Sequence, residues 1–346
     1  LCENIDERIK KIHDKSVIVD AHFDLLMEVE LRRRFGYRKV IETTYLEDIL
    51  EGGVDVLVCS LFIDNMYLPE MGLKKALDEI SALYAEIEES PDKIMLCTCY
   101  DDILKAKGEG KLAILLSFEG VDPLTNDLEL LNIFYKLGVR LVGFTWSRRN
   151  FAADGCHFAP KEEGVKGGLT EFGVRLIKMA EKLNMIIDVS HINDEGFWDV
   201  MKIAKTPVIA SHSNCRSITD SMRNLDDDQI IALAQTGGIM GMNGRSSFIS
   251  CEQGRGDADH LVQHVDHIVK LAGVEHVGLG LDICDFLSEI NIKPANRNVP
   301  GSYDVIPNHK DIKKFTASLI KHGYSDEEIG LILGGNFLNL YKNILK

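Results

Sequence analysis

Six side chains able to hold a metal ion or carry a proton stand where apolar runs of this chain stop. The run Val17-Ile18-Val19-Asp20-Ala21 leads directly into His22-Phe23-Asp24. A short β-branched run of this kind reads as a buried strand. Residues two apart in an extended chain point the same way, so His22 and Asp24 aim at one point past the strand's carboxyl end. Four later runs stop in the same manner: 112–118 at Glu119, 185–190 at His191, 207–211 at His212 and 276–281 at Asp282. Each has a bland alternative when taken singly. A His after a strand is commonly a hydrogen-bonded cap, Glu119 before Gly120 could begin a turn, and Asp282 could cap the next segment. Five aligned strand ends argue for one shared cleft, because such groups are costly to bury together for structural reasons alone.

Three imidazoles with carboxylates suit borderline divalent ions, zinc first and manganese or cobalt next. No cysteine belongs to the set, which speaks against a structural zinc site. The groups are too few to close two tetrahedra unless one carboxylate is shared, so the set leaves room for water. Ions sharing a water would acidify it and polarise a scissile carbonyl. Asp282, on the last strand, is placed to act as general base. The chemistry indicated is metal-assisted hydrolysis.

Positioning these groups falls to an alternation of strands and helices. Strands are expected at 17–20, 54–62, 112–118, 140–146, 185–190, 207–211, 238–243 and 276–281. Helices are expected around 74–89, 127–137, from near Thr170, from an Asn193 cap through 203, to about 235 and over 257–272. Three more follow, near 311–321, 326–333 and 336–345. The stretch 28–45 is charged and irregular and reads as a loop. A second long loop, to about Gly168, holds Arg148, Arg149, Asn150, Asp154 and His157, and loops of that length are commonly functional or mobile. Eight strands, each followed by a helix-bearing segment, point to an α/β chain: one (β/α)₈ TIM barrel domain over 1–346 with additional C-terminal helices. An open doubly wound sheet is the alternative, but no glycine fingerprint follows the first strand.

At 346 residues with 45% hydrophobic content the chain can fill a large core, and its net charge of −15 excludes the basic face that nucleic acid or an anionic membrane needs. No apolar run is long enough to span a bilayer. The first fifteen residues are charged and helical in pattern, unlike a signal peptide. Eight cysteines show no disulfide spacing, and Cys97-Thr98-Cys99 is too tight for a CxxC site. A reducing, cytoplasmic location is expected.

The motifs Val19-Asp20-Ala21-His22-Phe23-Asp24, Ser117-Phe118-Glu119-Gly120, Asp188-Val189-Ser190-His191, Ala210-Ser211-His212-Ser213 and Gly278-Leu279-Gly280-Leu281-Asp282 together resemble the membrane (renal) dipeptidases. These are dizinc metallopeptidases of the amidohydrolase-like barrels. The resemblance runs from about Val17 to the C-terminus, and its His-x-Asp opening differs from the His-x-His of most amidohydrolase barrels. It implies two zinc ions per chain, one on His22 and Asp24, the other on His191 and His212, with Glu119 bridging. Glu119 and Asp282 would be catalytic, and Asp282 would also meet the substrate's amino group. Met222-Arg223-Asn224 resembles the family's Arg-Asn stretch, so Arg223 would bind the substrate carboxylate, for which a guanidinium fork is suited. Where mammalian members carry a His after the fourth strand, this chain has Trp146, which would line the substrate site. His157 and Arg148 are the candidates to replace that His, and Arg245 is a further candidate cavity residue. The implied activity is zinc-dependent hydrolysis of dipeptides with free amino and carboxyl ends, tolerating a D-residue at the carboxyl side. Family members are often dimers, so a homodimer is expected. A lactone or N-acyl amino acid hydrolase is the enzymatic alternative, and a binding protein on an inactive barrel the non-enzymatic one.

Overall fold

The computed structural model describes residues 4–158, 162, 164–250, 256–288 and 301–346; Cys2 and Cys251 lie outside them. Nine strands occur among these residues: β1 Ile18–Phe23, β2 Val54–Phe62, β3 Ile94–Leu96, β4 Leu112–Glu119, β5 Val139–Gly143, β6 Ile186–Asp188, β7 Val208–Ile209, β8 Met240–Met242 and β9 Val277–Leu279. Eight of them pair in the order β7-β6-β5-β4-β2-β1-β9-β8, all parallel. A parallel bridge from Ala210 to Met240 joins the two ends of that order and closes the barrel. The expected (β/α)₈ barrel is thus the observed one. The strand not anticipated, β3, pairs with Leu112–Ile114 of β4, while β5 takes up Leu116–Glu119 further along.

Alternation along the strands sorts the core into two layers. Val19, Ala21, Val56, Val58, Ala113, Leu115, Leu141, Ile186, Ile209 and Ile239 fill the barrel, and Phe337, Leu340 and Tyr341 of the last helix join them. The intervening residues, among them Ile18, Leu57, Cys59, Ile114, Leu116, Val142 and Ile187, pack outward against the helices. Period-two alternation on a pleated strand produces this division.

Helix starts follow side-chain chemistry. Asn193 accepts the Gly196 N–H, as expected of its cap, and Thr170 accepts that of Gly173. Asp226 and Gln229 form a reciprocal capping box ahead of Asp227–Gln235. The loop expected over 28–45 needs correction. Leu25–Arg34 is an α-helix, and Ile41–Tyr45 leads into a further helix, Leu46–Glu51. Its charges hid it, because several are buried in ion pairs: Glu30 with Lys75 at 2.8 Å, Glu28 with Arg32, and Arg33 with Glu86 and Glu89. Leu25, Leu26 and Val29 of the same helix are buried in the core beside these pairs.

Among the described residues no helix is long and apolar enough to cross a membrane. Cys59, Cys97, Cys99, Cys156 and Cys215 are free thiols.

Candidate metal centre

The parallel register delivers the strand ends to one rim. Glu119 closes β4 opposite Phe62 of β2 and Gly143 of β5, and Gly143 in turn faces Asp188 of β6. His191, His212 and Asp282 each follow three residues after the last residue of β6, β7 and β9. His22 lies within β1, and Asp24 begins the helix that follows it. His191 and Asp282 have positive φ, 68° and 52°, a left-handed turn that swings each side chain off the strand direction.

The six side chains converge. Glu119 Oε1 is 3.0 Å from His191 Nε2, 3.7 Å from His22 Nε2 and 3.7 Å from His212 Nε2. His22 Nε2 is also 3.5 Å from Asp24 Oδ1 and 3.9 Å from Asp282 Oδ1. His191 Nε2 and His212 Nε2 are 3.0 Å apart. All are buried except Asp282, which keeps a partly open face to the cavity.

This arrangement fits divalent cations. Zinc bonds of ~2.0–2.2 Å place two tetrahedral ligands roughly 3.4 Å apart, close to the separations around His22 Nε2. That nitrogen is buried without a hydrogen-bond partner, a costly state for a polar atom unless an ion or water meets it. Ligand atoms of His22, Glu119 and His212 form one compact group, and those of His22, Asp24 and Asp282 form another. Burial alone would lower the His22 imidazole, but the Glu119, Asp24 and Asp282 carboxylates outweigh it and raise it to about 9. The site as folded calls for positive charge.

Four of the six groups are braced from behind. The Ser60 hydroxyl donates to Asp24. Ser147 Oγ is 3.0 Å from His191 Nδ1, and Ser211 Oγ is 2.7 Å from His212 Nδ1. Asn243 Nδ2 donates to Asp282 Oδ2 at 2.9 Å. Gly241 and Gly280 make room here: a Cβ on either would lie 2.0 or 1.8 Å from the Ser211 carbonyl oxygen.

Above these groups is a partly open cleft lined by Asp24, Glu119, Trp146, Phe158, His191, Arg245, Phe248, Asp282 and Cys284. Trp146 and Arg245 are both part of this lining. Trp146 is held edge-on by Phe62 and Phe158, and Arg245 by Asp285 at 2.6 Å and Asp304 at 2.9 Å. Arg223 is not part of this lining. It is buried against the Phe248 ring and donates to Ser213 Oγ at 2.7 Å and the His212 carbonyl at 2.6 Å, while its Nε has no partner. Neither candidate for the missing His lines the cavity: Arg148 grips Asp122 and the Ile63 carbonyl instead, and His157 lies outside the wall. Phe158, Phe248 and Cys284 were not anticipated. Phe158 and Cys284 lie in irregular segments and Phe248 in the four-residue helix Ser246–Ile249, all too short of regular structure for periodicity to mark an inward-facing residue.

Comparisons with known proteins bear on the family and the fold. The model of the membrane dipeptidase family, peptidase family M19, matches residues 6–345. An uncharacterized dipeptidase of Schizosaccharomyces pombe is 30% identical over 304 residues, 81% of this chain and 72% of its own length. A metallo peptidase from Rhodobacter sphaeroides, solved with a phosphinate mimic of the dipeptide L-Ala-D-Ala, superposes with a TM-score of 0.82. It is 24% identical, and the match covers 95% of this chain and 100% of that one. The probable dipeptidase PvdM of Pseudomonas aeruginosa gives 0.84 at 20% identity, covering 100% and 99%. With a family model spanning almost its whole length and side chains that could hold a metal ion gathered on one barrel rim, the chain belongs to the membrane dipeptidase family, peptidase family M19.

Proposed function

We propose that this metallo-dipeptidase works with two zinc ions and cleaves dipeptides whose amino and carboxyl ends are both free. The observation that carries the reading is Glu119 Oε1, set within 3.0–3.7 Å of three imidazole Nε2 atoms from β1, β6 and β7. A carboxylate so placed can serve two ions at once. His22 and Asp24 would hold one and His191 and His212 the other, with Glu119 shared. Bound zinc supplies Lewis acidity, acidifying water and polarising a carbonyl.

The remaining roles belong to the chain's own groups. Asp282 Oδ1 faces His22, while Asn243 fixes Oδ2, so Oδ1 is the atom to take a proton from the attacking water and pass it to the leaving amine. The same carboxylate would receive the substrate's ammonium group. Arg223 Nε, buried and without a partner, supports a role in binding the substrate carboxylate. Trp146, Phe158 and Phe248 form an apolar wall for the side chains and limit water in the cleft. We extend the reading to a homodimer, to one domain over 1–346 and to a reducing cytoplasm, the last supported by the free thiols.

The test is metal content together with hydrolysis of an L-Ala-D-Ala-type dipeptide before and after chelation. About two ions per chain, with activity lost on chelation and restored by zinc, is the expected result. Bound metal without dipeptide cleavage would move the substrate to a lactone or N-acyl amino acid. A folded chain that binds no metal would overturn the reading.

A further inference from the structure

Behind His212 lies a buried carboxylate to which no role has been assigned. Asp188, the last residue of β6, is 3% exposed and does not line the cavity. Its Oδ1 accepts the backbone N–H of Ser190 at 2.9 Å and that of Ser211 at 2.9 Å. Its Oδ2 accepts the Ser211 hydroxyl at 2.5 Å. A hydroxyl has a single proton to give. Ser211 spends it on Asp188, so toward His212 Nδ1, 2.7 Å away, the same oxygen can only accept. Nδ1 must then carry the ring hydrogen, and Nε2 presents its lone pair toward Glu119 and His191. The backbone N–H of His212 is held in turn by the Ser190 hydroxyl at 3.1 Å.

We propose that Asp188 is a positioning residue that acts through Ser211 to fix His212 as its Nδ1–H tautomer, keeping Nε2 open to a metal ion. The inference rests on the reading that His212 holds metal. An imidazole coordinates only through a nitrogen that bears no hydrogen, and the partner of its other nitrogen decides which one that is. Histidine ligands commonly lean on a carboxylate directly; here a serine stands between them.

A purely structural Asp188, tying the end of β6 to Ser211, would use the same backbone bonds, and Asp188→Asn separates the two roles. Asparagine can keep Oδ1 as acceptor for both N–H groups. The amide in place of Oδ2 is a donor, which turns the Ser211 hydroxyl toward His212 Nδ1 and drives the ring hydrogen onto Nε2. Two readouts apply to the full chain: zinc affinity by chelator competition, and the His212 tautomer by long-range proton–nitrogen NMR of the metal-free protein.

The expected result is Nδ1–H at His212 in the wild type. In Asp188→Asn the hydrogen moves to Nε2 and zinc affinity at one site falls by about 10- to 100-fold. Ser211→Ala should also weaken zinc, and it decides the matter with the wild-type tautomer if the first variant does not fold. A folded Asp188→Asn chain with wild-type affinity and an unchanged tautomer would overturn the proposal, as would Nε2–H in the wild type. A wild-type chain that binds no zinc would overturn the metal reading beneath it.

Discussion

The imidazoles of His22 and His212 lie face to face, their centroids 3.6 Å apart and their planes 22° from parallel. They come from the ends of β1 and β7, which do not neighbour one another in the barrel. Both Nε2 atoms are 3.7 Å from the same oxygen of Glu119. One carboxylate thus stands equidistant from imidazoles on separate parts of the rim, and if these groups hold two ions as proposed, its charge should hold both together. Glu119→Gln keeps the shape and removes the charge. Metal analysis after gel filtration should show at least one ion per chain lost, and kcat/KM should fall by at least ~100-fold.

The His22 proton sets a pH dependence. With its imidazole raised from 6.5 to about 9, the metal-free fold binds this proton more tightly than the unfolded chain does. The stabilisation is complete below pH 6.5 and is lost as pH rises through about 9, and the gap corresponds to about 3 kcal/mol at most. A cation must displace the proton, so zinc affinity should rise toward pH 9, by about tenfold per pH unit for one proton released. Thermal scans with and without chelator test both trends. The metal-free protein should melt lower near pH 9.5 than near pH 6.5, and the reverse order would remove the proton from His22.

Asp282 offers a clean separation of chemistry from folding. Its φ of 52° lies in the left-handed region that Asn also tolerates. Asp282→Asn should therefore fold and keep most of its metal while kcat drops by ~10²–10⁴-fold, the range for a lost general base. Turnover within a few-fold of wild type would assign the proton transfer elsewhere.

Arg223 meets its protein partners through two nitrogens and leaves the third without one. Arg223→Lys retains charge but loses the fork. KM for dipeptides with a free carboxylate should rise about tenfold or more, while that for carboxamide-capped analogues stays level. An equal rise for both would make Arg223 a brace for the His212 carbonyl, not a substrate contact.

The convergence of the strand-end groups was readable because a parallel barrel brings all carboxyl ends to one rim, so a polar residue after an apolar run has one destination. His22 and Asp24 show this directly: two residues apart in the chain, 3.5 Å apart in space. The helix Leu25–Arg34 was hidden because its charges find partners far along the chain, Arg33 meeting Glu86 53 residues away, while only Leu25, Leu26 and Val29 supply its face to the main core. The braces were hidden too. Ser60 meets Asp24 from 36 residues on, and Ser147 meets His191 from 44 residues before it. Such pairs depend on strand register, and a linear pattern does not carry it. Asp188 and Ser211 stood inside the motifs that marked the family, but nothing in their spacing says that one restrains the other.

Gly241 and Gly280 both crowd the Ser211 carbonyl so closely that even an alanine methyl would have to push it aside. Ser211 immediately precedes His212, so the displacement would be delivered to a ligand. In a saturation scan these two glycines should be as intolerant as the histidines, although neither is among the residues lining the cavity. A map of mutational sensitivity would draw this active site larger than its chemistry. The same close fit leaves the lineage few routes by which the β7 end could drift.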